Sequence, residues 1–329
     1  MKSASYIGLF VGLAVLTALI AWQGVAEVGG ILLRSGWPLL LVPLVWLPTT
    51  LLATRGWQLL FVPSQTPTYG QTFYAQWIGR SVNTLLPVAT IGGEVVKARL
   101  LALWGVDPLH SSASAVVDKT VQVVVLILWG TVGILALSWL ALDDGLAVAA
   151  AAGLALLGAG VAGFFVGQRA GMFGFMAKSA HRLTRKNFFG DLVGKAGEVD
   201  RIIRDIYRQR GRTLAATFWR FLAVALQTGE VWLAAYLLGH PLSLVEAVML
   251  KSLSGTLSDV AFVIPNSYGV QEGAYVVLGA MVGLAPDVAL AISLATRLRE
   301  LLFDVPGLAL WQHAEGRALI RRRRSENAA

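Results

Sequence analysis

The chain has 329 residues, 56% of them hydrophobic and 14% charged, with no cysteine and a net charge of +8; its mean hydropathy is +0.66. Soluble chains carry about 25% charged residues and cannot hide this much apolar surface, so a water-soluble fold is excluded and an integral membrane protein is expected. The lack of cysteine excludes disulfides and thiolate chemistry, four scattered histidines offer no metal-ligand spacing, and the basic excess fits cytoplasmic loops facing anionic lipid better than nucleic acid.

In chain order, a first span is expected over about Ser5–Trp22. It could also be read as a signal peptide, but its n-region holds only Lys2 and the following small residues make a weak cleavage site, so an uncleaved span is the reading taken. The second span covers about Trp37–Phe61, with Pro38, Pro43 and Pro48 in its first half. Proline withholds a backbone donor and frees groups that must find partners inside protein. Tyr69–Leu86 reads as a helix too polar to face lipid, since Gln71, Gln76, Arg80 and Asn83 interrupt it. Residues 87–93 break it and a short helix resumes over Glu94–Trp104, a pattern that suits a re-entrant hairpin.

A third span follows over about Ser112–Leu140, then an acidic Asp143-Asp144 turn and an Ala/Gly-rich fourth span near Leu146–Gly167. Residues 168–212 hold eleven Lys/Arg against four Asp/Glu. Within them, Val199, Ile202, Ile203, Ile206 and Tyr207 recur at helical spacing, which predicts an amphipathic helix lying on the membrane surface. The fifth span is about Leu214–Leu238, with Glu230 inside it, and Leu242–Ile264 and Gly269–Leu284 form a second hairpin. The sixth span is about Asp287–Gln312, before a basic tail.

The two hairpin stretches are related. Sliding the chain by 178 positions puts Pro87 on Pro265, Glu94 on Glu272, Gly105 on Gly283 and Pro108 on Pro286. At the same offset Pro63 meets Pro241 and Lys119 meets Arg297. Proline and glycine punctuate backbone, so their coincidence predicts a repeated backbone shape. Counting Lys2, the central loop and the tail, 17 of the 27 Lys/Arg fall on one side of a six-span arrangement, which predicts cytoplasmic N- and C-termini. Three crossings per half would invert the second half relative to the first. The expected fold is an all-α polytopic membrane protein of about six transmembrane spans plus two re-entrant helical hairpins in an inverted-topology repeat. Residues 1–140 form the first half, 141–167 the fourth span opening the second half, 168–212 the basic cytoplasmic loop, 213–312 the rest of the second half and 313–329 a basic cytoplasmic tail.

Ionised groups are costly at membrane depth and normally face a partner or a cavity. Glu94 and Glu272 each stand beside a hairpin break, while Arg297, Glu300 and Asp304 share one helix face by their spacing and Arg299 points elsewhere. These charges are candidates for a polar path or for structural ion pairs. The substrate-binding candidates are Glu94 and Glu272 with the basic Arg80, Lys97, Lys119, Arg297 and Arg299, and the polar Asn83, Asn266, Gln271 and Glu300. The hairpin breaks are assigned to Pro87, Gly92, Gly93, Pro265 and Gly269. No Walker-type GxxxxGK[ST], GxSxG or HExxH occurs, and neither a catalytic residue nor a cofactor or metal is expected.

The stretches GRSVNTLLPVATIGGEVVKARLL and IPNSYGVQEGAYVVLGAMVGL, the latter followed by LATRLRELLFDVPGL, resemble the membrane-embedded flippase domain of lysylphosphatidylglycerol synthases. Within that superfamily they look most like the stand-alone, hopanoid-biosynthesis-associated HpnL-type proteins. The resemblance implies a bacterial inner-membrane protein concerned with lipid translocation or modification. In that family the lysyltransferase activity sits in a separate soluble domain, and none is expected here, so the chain is not expected to be an enzyme. The function expected is translocation of an amphiphilic lipid, such as a hopanoid or an aminoacyl phospholipid, between leaflets. The partners expected are membrane lipid and possible lipid-modifying enzymes at the cytoplasmic face, without nucleic acid. Two other readings stay open: an ion-coupled transporter of a small solute, and a non-transporting scaffold for lipid-modifying enzymes.

Overall fold

The computed structural model describes residues 35–86, 92–140, 189–261 and 267–314, with isolated positions in 30–33 and 145–166. The expected first span, most of the fourth, the C-terminal tail, and Pro87, Pro265 and Asn266 lie outside the described residues. Among the described residues the chain forms ten α-helices and no strand.

The second expected span begins as a 3-10 helix, Trp37–Val45, and continues as α1, Trp46–Gln58. Pro43 lies inside the 3-10 half, where it removes a donor that an α-helical ladder would use. Together they make a 22-residue rod. α2 is Tyr69–Leu85 and α3 is Gly92–Leu103. The start of α2 is fixed by a reciprocal cap: Thr68 Oγ1 accepts from the Gln71 N–H at 3.3 Å, and Gln71 Oε1 accepts from the Thr68 N–H at 3.0 Å. α4, Pro108–Trp139, is capped by Asp107, whose carboxylate accepts from the His110 N–H at 2.8 Å. Partial burial alone would raise the Asp107 carboxyl, but the hydrogen bonds from the His110 backbone and ring outweigh it and hold it below the usual carboxylate range.

α5 is Phe189–Arg208, α6 Arg210–Leu226, α7 Thr228–Leu237, α8 Leu244–Val260, α9 Val270–Met281 and α10 Pro286–Arg299. A π turn, Glu300–Asp304, follows α10, and helix continues over residues 305–314. The fifth expected span is therefore two helices, α6 and α7, with the break at Gln227. Thr228 and Gly229 follow it there, both poorer helix formers than the alanines and leucines around them.

Two stretches 178 positions apart share local backbone features. α3 spans 92–103 and α9 spans 270–281, the same twelve positions displaced by 178, and α4 and α10 both open on a proline at that offset. Both short helices end alike. Gly105 and Gly283 have φ of 92° and 77°, values that a side chain resists. The N–H of Val106 bonds to the Leu101 carbonyl at 3.0 Å, and that of Leu284 to the Gly279 carbonyl at 2.9 Å. These are the six-to-one bonds of a Schellman cap.

α2 and α3 run antiparallel. Gln71 reaches the Trp104 carbonyl at 3.2 Å, Lys97 reaches Gln76 at 3.2 Å and the Gly93 N–H reaches Asn83 at 2.7 Å. The expected break at Gly93 is a backbone crossing: a Cβ there would collide with the Gly79 carbonyl and Asn83, and one on Gly79 would collide with Lys97. Gly269 answers the same expectation differently, with φ of 79°, and Gly92 is the first residue of α3. α8 and α9 form the second hairpin, with Ser267 bonded to the Ser258 carbonyl.

Each hairpin sits in its own apolar core. One core holds Trp57, Ile78, Leu100, Val117 and Ala216; the other holds Val231, Met249, Tyr275, Leu278 and Leu290. Each borrows from elsewhere in the chain. Leu39 and Val42 of the 3-10 helix enter the second core. Ile202, Ile203, Ile206 and Tyr207 of α5 enter the first, where α5 packs on α4. The sequence assigned that apolar face to the membrane surface. The helix is amphipathic as expected, but protein covers its apolar face, because α4 presents a matching apolar surface that excludes water equally well.

Candidate functional site

The described helices bury an unusual set of ionised groups in three clusters. In the first, Asp118 of α4 lies between two cations, Lys97 of α3 at 2.7 Å and Arg220 of α6 at 2.6 Å. Lys97 also meets Glu94 at 2.6 Å and lies 4.5 Å from the centroid of the Trp57 ring. Gln122 donates to Asp118 at 2.9 Å. In the second, Glu230 of α7 takes Lys251 of α8 at 3.1 Å and Arg299 of α10 at 3.2 Å. In the third, Arg297 of α10 is held by Glu272 and, at 2.8 Å, by Glu300. Glu272 also accepts from the Gly269 N–H at 2.7 Å, so it closes the first turn of its own helix. Tyr268 stacks its ring on Arg297 and donates to Glu300 at 3.2 Å.

Burying charge is tolerable only with such complete pairing. Asp118, Glu230 and Glu272 are each 1% exposed or less, so the pairing is within protein, not across solvent. The π turn separates charges that the sequence placed on one face. Arg297 and Glu300 do face each other, but the wider coil re-aims Asp304 toward α2, where Ser81 donates to it at 3.4 Å and Arg80 lies 3.8 Å away. Arg299 points to another partner, as its spacing implied.

Between the clusters lies a cavity of about 350 Å³, within the size range of ligand sites. Both hairpins wall it: Arg80 and Asn83 come from α2, Lys251 and Asp259 from α8, and Gln271 from α9. α4 contributes Lys119 and Gln122 beside the apolar Val125, Leu126 and Trp129. α6 contributes Arg220, and α10 contributes Arg299. Five basic side chains thus share the wall with one carboxylate, Asp259. The carboxylates that neutralise Arg220, Lys251 and Arg299 stand behind the wall rather than on it.

Of the sequence candidates, Arg80, Asn83, Lys119, Gln271 and Arg299 meet at this cavity. Glu94, Lys97, Glu272, Arg297 and Glu300 are placed in the ion pairs outside its lining. Sequence reasoning did not single out Arg220, Lys251 or Asp259. The signal was available: each is an ionised residue in an otherwise apolar stretch.

Helices of this apolar character around a charged interior cavity define a helical membrane protein with an internal polar site; two of them, Trp37–Gln58 and Pro108–Trp139, are long and apolar enough to cross a bilayer. The chain belongs to the family described as the lysylphosphatidylglycerol synthase TM region, which it matches over residues 9–306. No curated protein and no solved structure matches it. A membrane location and a lipid-related role follow from that family.

Proposed function

We propose that the protein is a lipid translocase of the bacterial inner membrane, without enzymatic activity of its own. One observation supports this most: a polar cavity inside an apolar chain is walled jointly by two helical hairpins. An amphiphile needs such a path for its head group only, because its tails can stay in lipid. In this reading six spans and two re-entrant hairpins form an inverted repeat, and the termini and the basic residues 168–212 face the cytoplasm. An HpnL-type protein of this kind would move a hopanoid or an aminoacyl phospholipid, and could meet lipid-modifying enzymes at its cytoplasmic face. The head group would contact Arg80, Asn83, Lys119, Gln271 and Arg299, while Glu94 and Glu272 hold the hairpins in shape.

The test is a leaflet assay. The purified protein is reconstituted in liposomes with labelled lipids, and the accessible fraction is followed with an impermeant quencher. Protein-dependent loss of the protected pool is expected; a protected pool as large as in empty liposomes would reject translocation and leave the scaffold reading. Ion-coupled transport is favoured by Asp259, a cavity carboxylate without an ion pair among the described residues, and would show as flux that follows an imposed pH gradient. Cysteines at positions 195 and 143 test orientation. Only the latter is expected to react with impermeant reagent in intact cells.

A further inference from the structure

Lys119 differs from every other cation around the cavity. Arg220, Lys251 and Arg299 each touch a carboxylate within 3.2 Å, and Arg80 lies 3.8 Å from Asp304. Lys119 lines the cavity with neither an ion pair nor a hydrogen bond among the described residues. The repeat explains why. Its mate Arg297 is clasped by Glu272 and Glu300, but the first repeat offers Gln122 where the second has Glu300, and Glu94 is taken by Lys97. A wall rich in cations, with the counter-charges of Arg220, Lys251 and Arg299 set behind it, suits a ligand that is anionic and offers several acceptor oxygens.

We propose that this cavity is an anion site for the phosphate of a membrane lipid head group, with Lys119 as the direct phosphate contact and Arg80, Arg220, Lys251 and Arg299 as the surrounding positive wall. It rests on the translocase reading for the identification of this cavity with the lipid path. The apolar patch of Val125, Leu126 and Trp129 beside Lys119 is where the glycerol end and first methylenes would lie. A head group whose only charge is an ammonium would meet one carboxylate, Asp259, among five cations.

The experiment is native mass spectrometry on the full-length protein, offered equimolar phosphatidylglycerol and diacylglycerol with the same acyl chains. The expected result is about tenfold preference for phosphatidylglycerol, one decade of affinity. Lys119→Gln should cut that preference roughly fivefold and Lys119→Arg should keep it. Because Lys119 makes no ion pair among the described residues, the glutamine variant breaks none, and the wild-type comparison requires no variant. Equal retention of the two lipids, or an unchanged preference in Lys119→Gln, overturns the proposal. Inorganic phosphate at millimolar concentration should leave the bound phosphatidylglycerol in place; displacement by it would assign the site to free phosphate and overturn the lipid assignment. Phosphatidylglycerol retained with Lys119 dependence but without flux in the leaflet assay supports the anion site and rejects translocation. Flux of both lipids with no preference rejects the anion site and leaves translocation standing.

Discussion

Lys119 and Arg297 stand 178 positions apart, and among the described residues only Arg297 holds an ion pair. The backbone at the two positions is alike and the electrostatics differ: Arg297 sits in a closed ion cluster and Lys119 faces a cavity.

Glu272→Gln is expected to destabilise the fold strongly. Glu272 is fully buried, pairs with Arg297 and closes the first turn of α9. Removing one partner of a buried pair costs roughly 3–5 kcal/mol. Glu94→Gln should cost less, roughly 1–2 kcal/mol, because Lys97 keeps Asp118. Thermal unfolding in detergent compares the two. Equal losses would contradict the different roles given to these carboxylates.

Asp118 holds Lys97 and Arg220 together. Asp118→Asn should lose roughly 3–5 kcal/mol by stranding Arg220, while Lys97 keeps Glu94. Adding Arg220→Gln should restore part of that loss. A double-mutant cycle on denaturant midpoints reads this coupling, and strictly additive losses would mean that the pair is energetically idle.

Gly93→Ala should be damaging, because its methyl would strike the Gly79 carbonyl at the crossing of α2 and α3. Overpacking of this kind costs roughly 1–3 kcal/mol. Gly273→Ala is the control: it lies in α9 with open space around its Cβ. It should gain up to about 1 kcal/mol of helix propensity. Melting temperatures moving the same way in both variants would refute the crossing.

Ile203 is completely buried on α5. Ile203→Ala should cost roughly 2–5 kcal/mol of stability if protein covers it. A helix resting on lipid would show almost no change in global unfolding.

Asp107 gives a pH dependence outside the membrane-spanning segments. Its carboxyl is depressed by the His110 hydrogen bonds in the folded state. Its contribution is therefore present above the unfolded pKa and fades as pH falls through the folded one. Asp107→Asn should be close to wild type in capping but lose this slope, so the two proteins should diverge near neutrality and converge in acid. Parallel stability curves from neutral to acidic pH would exclude the effect.

What was legible in the sequence was the backbone. Gly105 and Gly283 marked two helix ends, Pro108 and Pro286 two helix starts, and Gly93 a contact that refuses a side chain. Local chemistry fixes these features, so residue type and spacing suffice. The partners of charges were legible only around Arg297, whose pairing with Glu300 or Glu272 the sequence suggested. Arg297 and Glu300 sit three apart, but Arg220 and Asp118 are separated by 102 residues and Arg299 and Glu230 by 69. The apolar face of α5 was visible as a face, yet periodicity says nothing of whether lipid or protein covers it. The candidate site followed the same division. Arg80, Lys119, Gln271 and Arg299 were found because they flank repeat landmarks, and Arg220 and Lys251 were passed over because they do not.

The interlocking of the cores sets an order of events during synthesis. Leu39 and Val42 belong to a core whose other members, apart from Ala136 and Leu137, begin at Val231. The later partners leave the ribosome about 190 residues after Val42, on the order of 10–40 s at ordinary elongation rates. The 3-10 helix must wait in the bilayer or in an insertion partner for that time. Its prolines then have a second use: by weakening the early α-helical ladder they keep the segment adaptable until its permanent neighbours arrive.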